Sequence, residues 1–268
     1  DGDGLVSITN TGGLVTFTGT VGTASNSLDT VTLAANSNVS FQSSIDVDDD
    51  ITVAAGTSTV TVNSTVGAGD LLTLGDGVTI SLNDGILAGT TVFTVSNGGT
   101  AGTVITDNDG SADVTLLMPA GFTTGSIDVF DDDGDISAQQ DEFTATNNAI
   151  TTFSVGQGDD TSEIRVTATA KSAATTAAEL GINTDEATAL RGAVIATAGD
   201  ATLTNAFTTV LQGSAAQAKA VAEQIGVQGD SLSAGSAVSA SVGGAVAAVT
   251  GTRLASLRDG KAYAANDV

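Results

Sequence analysis

Between residues 51 and 82 the chain reads Ile51-Thr-Val53-Ala-Ala-Gly56-Thr-Ser-Thr-Val60-Thr-Val62-Asn-Ser-Thr-Val66-Gly-Ala-Gly-Asp70-Leu-Leu72-Thr-Leu74-Gly-Asp76-Gly77-Val78-Thr-Ile80-Ser-Leu82. Apolar residues alternate with threonine or serine in runs of three to five, and Gly, Asn, Asp and Ser separate the runs. Alternation with period two predicts half-buried strands, and the punctuation predicts tight corners. The same texture extends outward in both directions. Val6-Ser-Ile8, Leu14-Val-Thr-Phe17, Val31-Thr-Leu33 and Val39-Ser-Phe41 precede this stretch, while Val92-Phe-Thr-Val95 and Val114-Thr-Leu116 follow it.

Such runs are shorter than the average strand of about five to six residues. Evenly spaced short strands with small residues at their corners predict a parallel β-solenoid, in which each coil buries its inward residues only by stacking on the next. The competing fold is a set of β-sandwich repeats, for which Asp76-Gly77, Asn83-Asp84-Gly85 and Asp109-Gly110 are hairpin signals. The brevity of the runs and the scarcity of aromatic residues favour the solenoid. The expected division is a short-strand body over 1–117, a β-rich closing segment over 118–170 and a helical region over 171–268. The closing segment holds the only proline and four of the eight phenylalanines, Phe122, Phe130, Phe143 and Phe153. Larger side chains there suit a unit that closes the open end of a stack. Its runs Ser126–Phe130 and Ile164–Thr169 are expected strands.

After Lys171 the spacing becomes helical. Helices are expected over Ser172–Leu180, ending at Gly181, and from Asn183-Thr184 through Leu190 and Val194, fading near Gly199. A third starts at Asp200 and carries Leu203, Phe207, Val210 and Leu211 on one face. A fourth covers Ser214–Ile225, with Lys219 and Glu223 paired four residues apart. The stretch Leu232–Leu257 is built almost wholly of small residues.

Charge divides the chain sharply. Of its 268 residues, 31 are acidic and 7 basic, a formal charge of −24, and every basic residue lies at or beyond Arg165. Residues 1–164 hold 23 carboxylates and no cation. A surface of that sign repels nucleic acid and anionic lipid and attracts divalent cations or basic surfaces. No His, Cys or Trp is present. Ser-His-Asp triads, thiol nucleophiles and His or Cys zinc sites are therefore excluded. A 41% hydrophobic content is too high for a disordered acidic tail. No run approaches the roughly 20 apolar residues of a membrane-spanning helix. The opening residues lack a basic n-region, so a secretion leader is expected to be absent or removed.

One acidic segment has metal-like spacing. In Asp128-Val-Phe-Asp131-Asp132-Asp133-Gly134-Asp135-Ile136, a glycine at the sharp turn places Asp131, Asp133 and Asp135 at ligand positions of an EF-hand-like loop. Val129 falls where the first Asp belongs and Gln140 where the closing Glu belongs, so a full EF-hand is rejected. What is left to test is a reduced calcium site suited to millimolar extracellular calcium. Asp46, Asp48, Asp49 and Asp50 read as a solvated acidic turn at a strand end. Catalysis has only carboxylate pairs to draw on, as in glycosidases, and the acidic half lacks the Trp, Tyr and basic residues that hold sugars.

The blocks Lys171–Leu180, Ala216–Gln224 and Thr252-Arg253-Leu254-Ala255-Ser256-Leu257-Arg258 resemble the junction between passenger and barrel in bacterial autotransporters, over roughly residues 140–262. The resemblance implies a β-helical passenger, a packed closing segment and a helical linker before an outer-membrane barrel. It gives the small-residue stretch a purpose, a slim profile inside a barrel lumen. No alternating strands follow Lys261, and a barrel needs at least eight, so the chain resembles a passenger without its translocator. The resulting expectation is a non-enzymatic structural protein at the bacterial cell surface or outside the cell, self-assembling into a fibre or layer through exposed edges. A monomeric adhesin stalk and a carboxylate-based polysaccharide hydrolase are the alternatives.

Overall fold

The computed structural model describes residues 4–23, 25–83, 91–96, 104–105, 113–197 and 200–229. The small-residue stretch and the Arg253–Arg258 segment lie outside the described residues, as do Asp84-Gly85 and Asp109-Gly110. The chain divides into two compact units, Asp1–Ala170 and Lys171–Val268.

The first unit is a parallel β-solenoid with three sheets. Its first coil contributes β1 (Leu5–Ile8) and β2 (Leu14–Phe17). The next contributes β3 (Thr30–Leu33), β4 (Asn38–Phe41) and β5 (Ile45–Val47). β6 (Asp50–Val53), β7 (Thr59–Val62) and β8 (Val66–Ala68) follow. Then come β9 (Leu71–Leu74), β10 (Thr79–Leu82) and β11 (Phe93–Val95). β12 (Val104–Ile105), β13 (Val114–Leu117) and β14 (Gly125–Asp132) complete the coils. The chain closes with β15 (Phe143–Ala145), β16 (Thr151–Gln157) and β17 (Glu163–Ala170). Sheet A runs β1-β3-β6-β9-β12, sheet B runs β2-β4-β7-β10-β13-β15, and sheet C runs β5-β8-β11-β14-β17-β16.

Alternation fills the interior with stacked like residues. Val31 pairs with Ile51 and Ile51 with Leu72, while Val39, Val60, Ile80 and Leu116 form one continuous column. All are buried. Asp76-Gly77 is the corner that takes the chain from β9 of sheet A to β10 of sheet B and not a hairpin turn, with Gly77 in the left-handed region at φ 80°. Within sheet C, β5 and β8 are the strands that the runs above omit. β5 carries Asp46 and β8 carries Gly67 at outward positions, so neither shows the apolar and hydroxyl alternation of its neighbours. Gly69 follows β8 where two coils nearly touch, and a Cβ there would lie 1.8 Å from the Asp48 carbonyl oxygen.

Residues 118–170 close one end of the stack. β14 extends the parallel ladder of sheet C on one edge and pairs antiparallel with β17 on the other, and β17 pairs antiparallel with β16. A 3-10 helix over Ser137–Glu142 leads into β15. Phe130 joins the coil interior to this cap, its ring 5.1 Å from Phe93 and 4.8 Å from Phe143, while Phe122 stacks on Phe153.

The second unit is helical: α1 (Ala173–Leu180), α2 (Thr184–Ala196), α3 (Ala201–Leu211) and α4 (Ala215–Gly229). Ser172 caps α1 and Gly181 ends it with φ 64°. Asn183 and Glu186 form a capping box that starts α2, and Asp200 caps α3. Lys219 Nζ lies 3.7 Å from Glu223 and donates to the Gly181 carbonyl at 3.0 Å, which helps to terminate α1.

Candidate functional site

The acidic segment begins on a strand. In β14 a bulge between Asp128 and Phe130 lets Val129 and Phe130 both point inward, which resets the pleat so that Asp131 faces outward and Asp132 inward. Asp131 sits between Thr94 of β11 and Glu163 of β17. Burial pushes its carboxyl above the ordinary value, and repulsion from Glu163, Asp160, Asp128 and Asp133 adds to the rise. Asp132 Oδ1 accepts from the Gly134 amide at 2.7 Å. Asp133 Oδ2 accepts from the Ser96 hydroxyl at 2.9 Å. Asp135 Oδ1 accepts from the Ser137 amide at 3.0 Å and its hydroxyl at 2.6 Å, which holds its carboxyl below the ordinary value. Asp131, Asp133 and Asp135 are thus neighbours in sequence with separate partners. Among the described residues no group of three or more His, Cys, Asp or Glu side chains is placed to hold a metal ion.

The strongest charge cluster beside it centres on Arg165 of β17. Its Nε donates to Asp128 Oδ1 at 2.5 Å and one terminal nitrogen to Oδ2 at 3.0 Å, a two-point contact with the residue directly opposite. The other terminal nitrogen donates to Asp159 at 2.5 Å, and Glu163 lies 3.4 Å away. The Arg165 hydrogen bond holds Asp159 below the ordinary carboxyl range. Asp128 and Glu163 therefore both serve as anchors for the guanidinium.

A column of acids runs along one corner of the coils. The Asp49 amide donates to the Asp29 carbonyl and the Asp70 amide to the Asp49 carbonyl, each at 3.0 Å, so these three residues occupy equivalent places in successive coils. A hydrogen bond with Asp29 raises the Asp49 carboxyl above its ordinary value, with burial and the charges of Asp29 and Asp48 adding to it. At another corner Asn83 donates to Asn63 at 2.6 Å, a neutral ladder of the same construction. The signal for the acidic column was the spacing of 20 and 21 residues between its members, which a reading confined to Asp46–Asp50 misses.

Sheet B presents a different outer surface. One outward row passes through Leu14, Asn38, Thr59, Thr79, Thr115 and Thr144. A second row passes through Thr16, Ser40, Thr61, Ser81 and Leu117, of which Ser40 is buried. No strand of this sheet contains a charged residue. Sheet A carries Asp50 on its outer face, and sheet C carries Asp46, Asp128, Asp131, Glu163 and Arg165. A cavity in the solenoid interior is lined by aliphatic and phenyl side chains such as Leu33, Phe41, Ile51, Leu74 and Phe93.

No family model, curated protein or solved structure matches the chain. The fold is a β-solenoid followed by helices. Among the described residues no helix is long and apolar enough to cross a membrane.

Proposed function

We propose that the chain is a non-enzymatic structural protein of the bacterial cell surface, the stem and closing region of an autotransporter-like passenger whose copies associate outside the cell. The observation that carries this reading is the order of parts: a three-sheet solenoid, a phenylalanine-packed antiparallel cap, then capped helices. In such a passenger the cap closes the stack on the side of the linker, and a barrel in the precursor is the partner the linker leads to. The acidic exterior suits a stem that stays soluble and avoids anionic lipid headgroups.

Association draws on the opposite end. Among the described residues β1 pairs only with β3 and β2 only with β4, so both are edge strands with a free row of backbone donors and acceptors. Leu5 and Leu14 beside them are 68% and 58% exposed. Calcium is the proposed cofactor of this step, because carboxylates such as Asp29 and Asp49 repel between copies until a divalent cation screens them.

Two measurements test the reading. Antibody binding to intact cells producing the native precursor is expected, and retention of all material in the cytosol overturns the surface assignment. Electron microscopy of the full chain is expected to show end-to-end assemblies that increase with millimolar calcium. A monodisperse monomer with and without calcium overturns the assembly and leaves the adhesin stalk.

A further inference from the structure

We propose that the outer face of sheet B binds ice. Thr59, Thr79, Thr115 and Thr144 form one row and Thr61 and Ser81 part of the next, paired in register across parallel strands. Parallel pairing spaces the residues of a row by about 4.8 Å, and the pleat separates the two rows by about 7 Å. The result is a two-dimensional grid of hydroxyl and methyl groups, close in both directions to the oxygen repeats of hexagonal ice. Each hydroxyl can replace a lattice water as donor and acceptor, and each methyl rests between lattice positions.

Three observations select this occupant. The face is neutral in a body whose first 164 residues hold 23 carboxylates, so charge is excluded from this sheet and present on the other two. It lacks the aromatic, Met and Arg anchors that stabilise a protein partner, and it has no aromatic platform for a sugar and no cation for a phosphate. Finally, the grid survives a change in coil length. Val60 meets Ile80 after 20 residues and Ile80 meets Leu116 after 36, yet Thr79 still pairs with Thr115. A neutral array held in register gains affinity from regularity itself, and a crystal surface is the partner that rewards regularity.

The test is incorporation of the fluorescently labelled full chain into slowly grown ice. Amine labelling reaches Lys171, Lys219, Lys261 and the N-terminus, and no strand of sheet B contains a lysine. The wild-type chain is expected to enter the ice while a labelled globular control is excluded. Thr79→Tyr is expected to lower incorporation at least about tenfold, and Thr52→Tyr, at an outward position of sheet A, to leave it unchanged. Circular dichroism checks the fold of both variants. If Thr79→Tyr unfolds, Thr144→Lys in the exposed last strand replaces it with the same expected loss. The proposal is overturned if the wild-type chain is excluded like the control, or if the folded sheet B variant enters ice as the wild type does. It is also overturned if the sheet A variant loses incorporation equally.

Discussion

Arg165 is the single cation of the first 170 residues, and the cap is arranged around it. Its side chain is 20% exposed and that of Asp128 15%, so their two-point contact is sheltered from bulk water, whereas Asp159 is 82% exposed and its contact is weak despite its length. Arg165→Gln removes charge-assisted hydrogen bonds and leaves Asp128 and Glu163 facing each other's field. A loss of about 1.5–3 kcal/mol is expected in the urea unfolding of the solenoid. Arg165→Lys is expected to recover only part of it, because an ammonium cannot make the forked contact. Asp131 works in the opposite direction. It lies directly across from Glu163, a like-charge cross-strand pair, so Asp131→Asn is expected to stabilise by about 0.2–1 kcal/mol at pH 7. The pH dependence follows from the raised carboxyl. The folded state takes up this proton more readily than the unfolded chain, so the cost of the Asp131 charge is complete above the raised folded value. It fades as pH falls towards the unfolded value and is gone below it. The gain from Asp131→Asn should therefore vanish in acid, and a gain of equal size at pH 3 would contradict the assignment. Asp159 has a lowered value, so the stability it contributes is present above the unfolded carboxyl value and is lost as pH falls through the folded one.

At the scale of strands and corners, side-chain alternation made most strands of the three sheets legible, β11, β14 and β17 of sheet C included, and left β5 and β8 hidden. Val60-Thr-Val62 declares a pleat, but Ile45-Asp-Val47 and Val66-Gly-Ala68 declare one only once the coil above supplies partners. The acidic loop shows the reverse difficulty. Alternating Asp residues share one side only while the chain keeps one conformation, and here the strand ends at Asp132 and Asp133 turns to Ser96 while Asp135 turns to Ser137. Local spacing held no information about Ser96, which is 37 residues from Asp133, whereas Ser137 is a local partner of Asp135. The helix start at Asn183, the Asp200 cap and the Gly181 stop were legible because each depends on a few adjacent residues. Two substitutions separate core from corner. Ile80 is fully buried in a column between Val60 and Leu116, so Ile80→Ala is expected to cost about 2–5 kcal/mol. Gly69→Ala changes no hydrophobic burial, yet its Cβ meets a backbone oxygen that cannot rotate away. Its cost should appear as a lowered melting temperature, and a wild-type melting curve would show that the corner has room the structure does not.

For the whole molecule, the charge boundary and the structural boundary nearly coincide. The solenoid and cap combine 23 carboxylates with one guanidinium, while residues 171–268 hold eight acidic and six basic side chains. Repulsion is therefore concentrated in one unit, and its acids are stacked coil upon coil, as Asp29, Asp49 and Asp70 show. Stacking fixes like charges at the spacing of strands, about 4.8 Å, well inside the screening length of about 10 Å at 0.1 M salt and far inside the roughly 30 Å at 0.01 M. Raising sodium chloride from 0.01 M to 0.1 M should then stabilise the solenoid and leave the nearly neutral helices little changed. In the full chain the strand signal in circular dichroism is expected to melt about 2–4 °C higher for each kcal/mol of repulsion relieved, with a smaller shift in the helical signal. Calcium at matched ionic strength divides two explanations. If the acidic columns or the segment of Asp131, Asp133 and Asp135 take up the ion, calcium raises the strand transition beyond the effect of sodium. If screening alone acts, the two salts coincide and the calcium proposal falls. An equal shift of strand and helix signals would overturn the premise that the repulsion resides in the solenoid.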